Sequence, residues 1–200
     1  MKLKNKYFLL RHGQTIYQKE GREMNYDAEE NPILTLTPEG KKMVEDSVKA
    51  LKKICDEQGQ NIDSIFSSPY ERTKETAEIT EGILDVKEIN YDKRLVDINL
   101  GKFMGRPMEE SWKFYLGGEI KFDNRPKGGE SWNDILERVK SFLDDIEKKY
   151  KERNILIVSH ADPIWLMAGY LRGFKNEEQF LKARDDRENS YPKLAQLIII

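Results

Sequence analysis

Apolar residues along this chain follow two patterns, short uninterrupted runs and longer stretches with helical spacing. Residues 7–10 and 155–158 are uninterrupted runs, which are typical of strands buried on both faces of a sheet. In residues 38–56 and 132–150 the apolar positions recur at helical spacing, which predicts helices with one buried face. Weaker strand patterns follow at residues 62–67, 86–91 and 193–200.

Strands and helices therefore alternate, and this order predicts a three-layer α/β/α fold. We expect a mostly parallel sheet with helices on both faces, in a single domain of residues 1–200. Polar, irregular segments at about residues 16–34 and 100–128 interrupt the alternation, and a short helix is predicted at 107–115 within the second. Long irregular segments in compact domains are often functional, so we expect both to form a lid over a pocket.

Several predicted helices begin with a capping signal, a short polar side chain that can accept hydrogen bonds from free backbone N–H groups. A proline in the first turn strengthens the signal in three cases. The charged segment at residues 174–187 is also expected to be mostly helical. The capping signals are Thr37 before Pro38, Ser68 with Glu71 around Pro69, Ser131 with Asp134, and Asp162 before Pro163.

Charge and composition narrow the classes of function. With 34 basic and 36 acidic residues the formal net charge is -2, and nothing predicts a nucleic-acid or membrane surface. No apolar run is long enough to span a bilayer or to form a signal-peptide core. The single cysteine, Cys55, excludes an internal disulfide and fits a reducing cytoplasm. We therefore expect a cytoplasmic protein, and the sequence does not indicate its oligomeric state.

The chain has two histidines, and each directly follows a predicted strand. His12 comes after Arg11 at the end of the first strand, and His160 follows the strand that contains residues 155–158. Ligands bind where the carboxyl ends of such strands meet. An imidazole can act as a nucleophile and an arginine can hold phosphate oxygens, so these residues indicate phosphate chemistry. The alternatives are a solvated basic strand end and hydrogen-bonded structural histidines.

Two further residues are candidates for the same chemistry. Arg72 falls in the first turn of a predicted helix, where a cation opposes the helix dipole unless an anion binds there. The alternative is a surface arginine. Asp97 is a single carboxylate flanked by apolar residues, and apolar surroundings raise a carboxyl pKa, as suits a general acid. The alternative is an aspartate that only forms a turn.

Five motifs follow one another along the chain; they read LLRHGQT, SSPYERTKETA, LVDINLGKFMG, GGES and VSHAD. In this order they resemble the histidine phosphatase superfamily, in the branch that is similar to phosphoglycerate mutase and fructose-2,6-bisphosphatase. The resemblance covers nearly the whole chain, and the first and last motifs together are specific. It implies a phosphoglycerate-mutase-like fold, with one antiparallel strand in the sheet.

The resemblance also implies a role for each candidate residue. In that family the histidine of the RHG motif becomes phosphorylated, and the matching residue here is His12. The family's phosphate pocket matches Arg11, Arg72 and His160, with His160 protonated. The family's proton donor, usually a glutamate, matches Asp97.

Other positions depart from this pattern or add to it. Gln18 stands where many members carry an asparagine near the phosphate, and Ala161 stands where glycine is usual. Thr15 and Gln18 are further candidates for phosphate binding. Glu130 of the GGES motif is the second candidate for the proton donor.

Together these residues predict a phosphatase that hydrolyses a small phosphorylated metabolite through a phosphohistidine, without a metal or another cofactor. One alternative is a cofactor-dependent phosphoglycerate mutase, whose Glu-Arg-His-Tyr-Gly stretch corresponds here to residues 97–101. The cations that would hold a second acidic group near that stretch are not evident, so hydrolysis is favoured. The other alternative is a non-catalytic phosphate-binding module.

Overall fold

A five-stranded sheet forms the centre of the protein in a computed structural model that describes residues 3–117, 121–186 and 188–200. Each strand combines apolar residues that pack on the helices with backbone groups that pair across the sheet. The strands are β1 (Lys6–Arg11), β2 (Ser64–Ser67), β3 (Ile89–Tyr91), β4 (Asn154–Ser159) and β5 (Leu197–Ile199).

The strands lie in the order β3-β2-β4-β1-β5. All neighbouring pairs are parallel except β1 and β5, which are antiparallel. This arrangement confirms the mostly parallel sheet with one antiparallel strand. In the β1–β4 pair Arg11 lies opposite Ser159, so the next residues, His12 and His160, are neighbours at one edge of the sheet.

Helices cover both faces of this sheet. Among the residues that the structure describes, no helix has both the length and the apolar character needed to cross a membrane. The helices are α1 (Ile16–Lys19), α2 (Pro38–Glu57), α3 (Glu71–Leu84), α4 (Met108–Leu116), α5 (Trp132–Lys149), α6 (Ala161–Leu171) and α7 (Glu177–Asp185).

Alternate residues of β1 enter two separate apolar cores. Tyr7 and Leu9 pack with residues of α5, α6 and α7 on one face, whereas Phe8 and Leu10 pack with α2 and α3 on the other. A strand whose side chains are buried on both faces needs helices on both sides. The two cores therefore confirm the predicted three-layer architecture.

Two of the predicted helix caps are confirmed. The Thr37 hydroxyl accepts a hydrogen bond from the Gly40 N–H at 3.0 Å at the start of α2. At the start of α5, Ser131 Oγ accepts from the Asp134 N–H at 3.2 Å, and the Asp134 carboxylate accepts from the Ser131 N–H at 2.8 Å. Each cap satisfies backbone donors that the helix leaves free.

The other two predicted caps are wrong. The residue before α3 is Tyr70, and the Ser68 hydroxyl instead lies 2.9 Å from His160 Nε2. The residue before α6 is His160, while Asp162 lies in the first helical turn and accepts a hydrogen bond from the Tyr191 hydroxyl at 2.7 Å. Ser68 keeps a long local contact, since its hydroxyl accepts from the Tyr70 N–H at 3.4 Å, but the shorter contacts of both residues reach distant parts of the chain.

Several predicted elements are shorter in the structure. The strand expected at residues 86–91 is reduced to β3, and the strand expected at 193–200 is reduced to β5. The second is shortened because Ala195 has a φ of 52° and turns the chain, with its N–H donating to the His12 carbonyl oxygen at 3.1 Å. The helix expected at 174–187 is α7, and the last residue of that range lies outside the described residues.

The two irregular segments are bonded to each other. The first begins with the short helix α1, which the sequence pattern did not predict, and the second contains α4. The Asn25 N–H donates to the Arg106 carbonyl at 2.8 Å, and the Asn25 side-chain amide donates to the Phe103 carbonyl at 2.9 Å. Residues 118–120 of the second segment lie outside the described residues. A lid function for these segments stays a prediction.

Candidate active site

His12 lies at the carboxyl end of β1, with 1% of its surface exposed. Its Nδ1 is 2.7 Å from the Gly13 carbonyl oxygen, which can only accept, so Nδ1 carries the proton and Nε2 keeps its lone pair. Burial, and then the charges of Arg72 and Arg11, hold the pKa of His12 well below its usual range. The imidazole is therefore neutral, as a nucleophile has to be.

His160 lies beside His12, with the two ring centroids 5.3 Å apart. Its Nε2 is 2.9 Å from Ser68 Oγ, and its Nδ1 is 3.6 Å from Asp97 Oδ2. Burial, and then the charge of Arg72, hold the pKa of His160 well below its usual range. Without a ligand His160 is therefore neutral, because a fully buried imidazole beside a cation disfavours a second positive charge. Protonation of His160 against a bound phosphate stays a prediction.

Arg72 is completely buried, so the alternative of a surface arginine is wrong. Its Nη1 donates to the Asn31 carbonyl at 2.5 Å, and its Nη2 donates to Asp97 Oδ2 at 3.1 Å. The guanidinium also lies over the Tyr26 ring, with Cζ 4.5 Å from the ring centroid. A cation held this firmly beside two imidazoles is a preorganised partner for an anion.

Three buried nitrogens at this edge of the sheet have no hydrogen-bond partner among the described residues, namely Arg11 Nε, Arg72 Nε and His160 Nδ1. Arg11 is oriented by its Nη1, which donates to the Pro192 carbonyl at 2.8 Å. Buried polar atoms are normally paired, and an unsatisfied one costs roughly 1–3 kcal/mol. Their occurrence on neighbouring residues favours a ligand rich in acceptor oxygens, such as phosphate.

Asp97 lies between these buried groups and an open cavity. Its carboxylate contacts Arg72 on one side and lines the cavity on the other. Burial, assisted by the nearby charge of Asp162, raises the pKa of Asp97 even though Arg72 acts in the opposite direction. Its Oδ1 also accepts from the Ile98 N–H at 3.0 Å, so Asp97 combines a local turn contact with a raised pKa.

Glu130, the second candidate donor, is engaged elsewhere. Its Oε2 accepts from the Asn99 N–H at 2.9 Å, and its Oε1 forms an ion pair with Arg138 Nε at 2.9 Å. Arg138 in turn donates to the Asp97 carbonyl at 3.3 Å and to the Arg94 carbonyl at 2.6 Å. This pair therefore supports the loop that carries Asp97, a contribution that the sequence did not indicate.

Thr15 and Gln18 hold the start of α1. The Gln18 side-chain oxygen accepts from the Thr15 backbone N–H at 2.9 Å and from the Thr15 hydroxyl at 2.8 Å. The Gln18 amide then donates to the Tyr26 hydroxyl at 2.7 Å. Gln18 lines the cavity, whereas Thr15 is fully buried. Phosphate binding by these residues stays a prediction.

A cavity of about 480 Å³ opens in front of the buried groups. Arg11 and Asp97 lie on its wall, together with residues of both irregular segments. Sequence reasoning missed several of its other residues, which come from distant parts of the chain and of which only Asp162 falls in one of the five motifs. They include Tyr26, Tyr115, Trp132, Asp162, Arg184 and Tyr191.

No group of three or more histidine, cysteine, aspartate or glutamate side chains that could hold a metal occurs in the described part of the chain. The positive charge near the histidines comes instead from arginines. Activity without a metal stays a prediction.

Comparison with known proteins agrees with this geometry. The family model of the histidine phosphatase superfamily (branch 1) matches residues 7–183 of this sequence. This match covers the strand before His12, the helix that carries Arg72, the Asp97 loop and the strand before His160.

Individual relatives are more distant. Phosphoserine phosphatase 1 of Hydrogenobacter thermophilus is 29% identical over 84% of this chain and 76% of its own length. A 2,3-bisphosphoglycerate-dependent phosphoglycerate mutase of Thermoplasma acidophilum is 28% identical over 86% of this chain and 78% of its own. A mycobacterial glucosyl-3-phosphoglycerate phosphatase has the same fold, with a TM-score of 0.73 at 19% identity, covering 97% of this chain and 90% of that one.

Proposed function

The chain belongs to the histidine phosphatase superfamily, and we propose that it hydrolyses a small phosphomonoester through a phosphohistidine formed on His12. The observation that carries this proposal is the state of the His12 ring. Its Nδ1 proton is held by the Gly13 carbonyl, which leaves an unprotonated Nε2 beside two arginines. The resemblance to named phosphatases supports hydrolysis as the reaction.

The substrate phosphate would bind beside the Asp97 carboxylate, on Arg72, Arg11 and His160. Each of these three residues has one buried nitrogen without an acceptor. Because a nearby negative charge favours protonation, the bound phosphate raises the pKa values of both His160 and Asp97. His160 then becomes a cationic partner of the phosphate, and Asp97 holds a proton.

Two displacements complete the reaction. In the first, His12 Nε2 forms a bond to phosphorus while the ester P–O bond breaks, and Asp97 gives its proton to the leaving oxygen. In the second, the Asp97 carboxylate takes a proton from water, whose oxygen attacks phosphorus. The P–N bond breaks, its electron pair returns to His12, and inorganic phosphate is released. The arginines stabilise the charge on the transferred oxygens in both steps.

Three further features belong to the proposal. The arginine charges make a metal unnecessary, so activity should survive a chelator and needs no other cofactor. The cavity volume suits a small phosphorylated metabolite. We also propose a cytoplasmic location, because the single cysteine, Cys55, is a buried free thiol, which suits a reducing compartment.

Trapping the covalent intermediate tests this function. Protein mixed with p-nitrophenyl phosphate and quenched rapidly should carry acid-labile phosphate, which peptide mapping should place on His12. The His12→Ala variant should carry none. Phosphate on another residue, or turnover without any phosphoenzyme, would refute the mechanism, and interconversion of 2- and 3-phosphoglycerate without net hydrolysis would favour the mutase alternative.

A further inference from the structure

We propose that Arg184 and Trp132 form a second anion subsite in the cavity, and that this subsite selects phosphomonoesters that carry a carboxylate. The inference rests on the proposed phosphatase function and specifies its substrate class. Both residues line the same cavity as Arg11 and Asp97, so one small ligand has access to both sites.

Arg184 is a buried cation that lies over the rings of Trp132 and Tyr191 but has a nitrogen without an acceptor. It lies on α7 with 4% of its surface exposed, and its buried Nε has no hydrogen-bond partner among the described residues. Its closest ionic contact is a long one, 3.9 Å from Nη1 to the exposed carboxylate of Asp185. Charged side chains are rarely this buried unless they are paired. The missing acceptor is therefore expected to come from a ligand in the cavity.

Trp132 supplies the second unpaired donor. Its indole Nε1 is buried and has no acceptor among the described residues. The Arg184 guanidinium carbon lies over the Trp132 ring, 5.0 Å from the ring centroid. An indole N–H can only donate, and a guanidinium can only donate. These two neighbouring groups therefore favour a ligand that accepts at two positions, as a carboxylate does.

Tyr191 connects this subsite with the phosphate end. Its ring lies 5.9 Å from the Arg184 guanidinium carbon, and the charges of both Arg11 and Arg184 act on its hydroxyl. That hydroxyl donates to Asp162 Oδ1 at 2.7 Å, and the charge of Asp162 in turn acts on Asp97. Tyr191 therefore contacts Arg184 with its ring and Asp162 with its hydroxyl. A compact acid could place its phosphate at one end and its carboxylate at the other.

The charge around Arg184 favours a carboxylate over a second phosphate. A phosphate dianion would need more positive charge, and Asp162 adds a negative charge near Tyr191. Arg22 also lines the cavity, but it is exposed and paired with Glu20 at 2.6 Å. One guanidinium and one indole N–H match the single charge and two oxygens of a carboxylate.

Substrate pairs that differ at the carboxylate test this subsite. We would compare kcat/KM for 3-phosphoglycerate with that for glycerol 3-phosphate, and for O-phosphoserine with that for phosphoethanolamine. The wild-type protein should prefer the acid in each pair. Because a hydrogen-bonded charge is lost, Arg184→Met should lower this preference roughly 10- to 100-fold. Arg184→Lys should keep part of it, and Trp132→Phe should lower it several-fold.

The control is Lys182→Gln, which removes one charge from the exposed face of the same helix and should leave the preference unchanged.

Dissociation constants of the same four compounds for the His12→Ala protein give the preference without turnover. If the wild type hydrolyses p-nitrophenyl phosphate but neither kcat/KM nor binding favours the acids, the subsite is refuted and the phosphatase function stands. If turnover is absent but binding still shows the Arg184-dependent preference, the phosphatase function is refuted and the subsite stands. Equal losses for acid and non-acid substrates in Arg184→Met would assign Arg184 a structural role only.

Discussion

The two histidines follow parallel, paired strands in the same register, yet they present different ring atoms to the site. His12 uses Nδ1 to bind the Gly13 carbonyl and so leaves Nε2 unprotonated. His160 uses Nε2 to contact the Ser68 hydroxyl, and its Nδ1 lies near Asp97 without a hydrogen bond. Two similar strand ends therefore provide one residue suited to attack phosphorus and one suited to bind a phosphate oxygen.

The difference comes from what each ring meets after its strand. A carbonyl oxygen accepts only, so it determines which nitrogen of His12 carries the proton. A hydroxyl can donate or accept, so Ser68 does not impose one tautomer on His160. In the proposed reaction His12 is thereby prepared for nucleophilic attack before the substrate arrives, whereas His160 gains a proton when the phosphate binds. The following experiments test this division of roles.

Replacing each histidine in turn should have unequal effects. His12→Ala should lower kcat roughly 10⁴- to 10⁶-fold, since it removes the nucleophile, and should abolish the phosphoenzyme. The measurement is steady-state turnover of p-nitrophenyl phosphate combined with acid-quench trapping. A His12→Ala protein that still forms phosphoenzyme on His160 would reverse the assignment.

Asp97→Asn should separate substrates by their leaving group. For an alkyl phosphate the rate should fall about 10²–10⁴-fold, because the leaving alkoxide needs a proton. For p-nitrophenyl phosphate, whose leaving group is already stable, the fall should be much smaller. Glu130→Gln is the control, since Glu130 is paired with Arg138, and any loss there should be similar for both substrates. The opposite pattern in these two variants would make Glu130 the donor.

His160→Gln should slow the reaction without removing its intermediate. We expect a fall of about 10²–10³ in kcat, as for the loss of one group that stabilises transition-state charge. Phosphate should still be trapped on His12, and rapid-quench kinetics should show it forming more slowly. A loss as large as that in His12→Ala, together with loss of the phosphoenzyme, would mean that the two histidines act as one unit.

The smallest expected effect concerns stability against pH. Both histidines stay neutral in the folded protein because their pKa values are held low, whereas in the unfolded chain they bind protons below about pH 6.5. Stability should therefore be fully present above that pH and fall as the pH drops below about 6.5, by up to roughly 1.4 kcal/mol per pH unit for each histidine. The raised pKa of Asp97 has the opposite effect on stability, which it lowers as the pH rises. The slope of stability against pH is therefore compared between the wild type and its variants.

In urea unfolding at several pH values, His160→Gln should show a shallower slope than the wild type. Asp97→Asn should show a steeper one wherever the Asp97 carboxyl titrates. Parallel slopes in all three proteins would contradict a neutral, buried His160.

Local patterns in the sequence were sufficient for the layers of this fold and for its main chemical groups. Uninterrupted apolar runs identified β1 and β4, because strands buried on both faces have no polar side. Helical spacing identified α2 and α5, and their caps were readable because Thr37 and Ser131 bond to residues three positions away. His12 and His160 were visible because each directly follows such a strand.

Contacts between distant residues were not readable in this way. Ser68 and Asp162 look like helix caps in the sequence, but one contacts His160 and the other accepts from Tyr191. The low pKa values of the histidines, the support of Asp97 by Arg138 and the unpartnered Nε of Arg184 all depend on burial and on partners far along the chain. Burial and proximity arise when the layers pack together, so the residue types alone could not specify which polar groups would meet or remain without a partner.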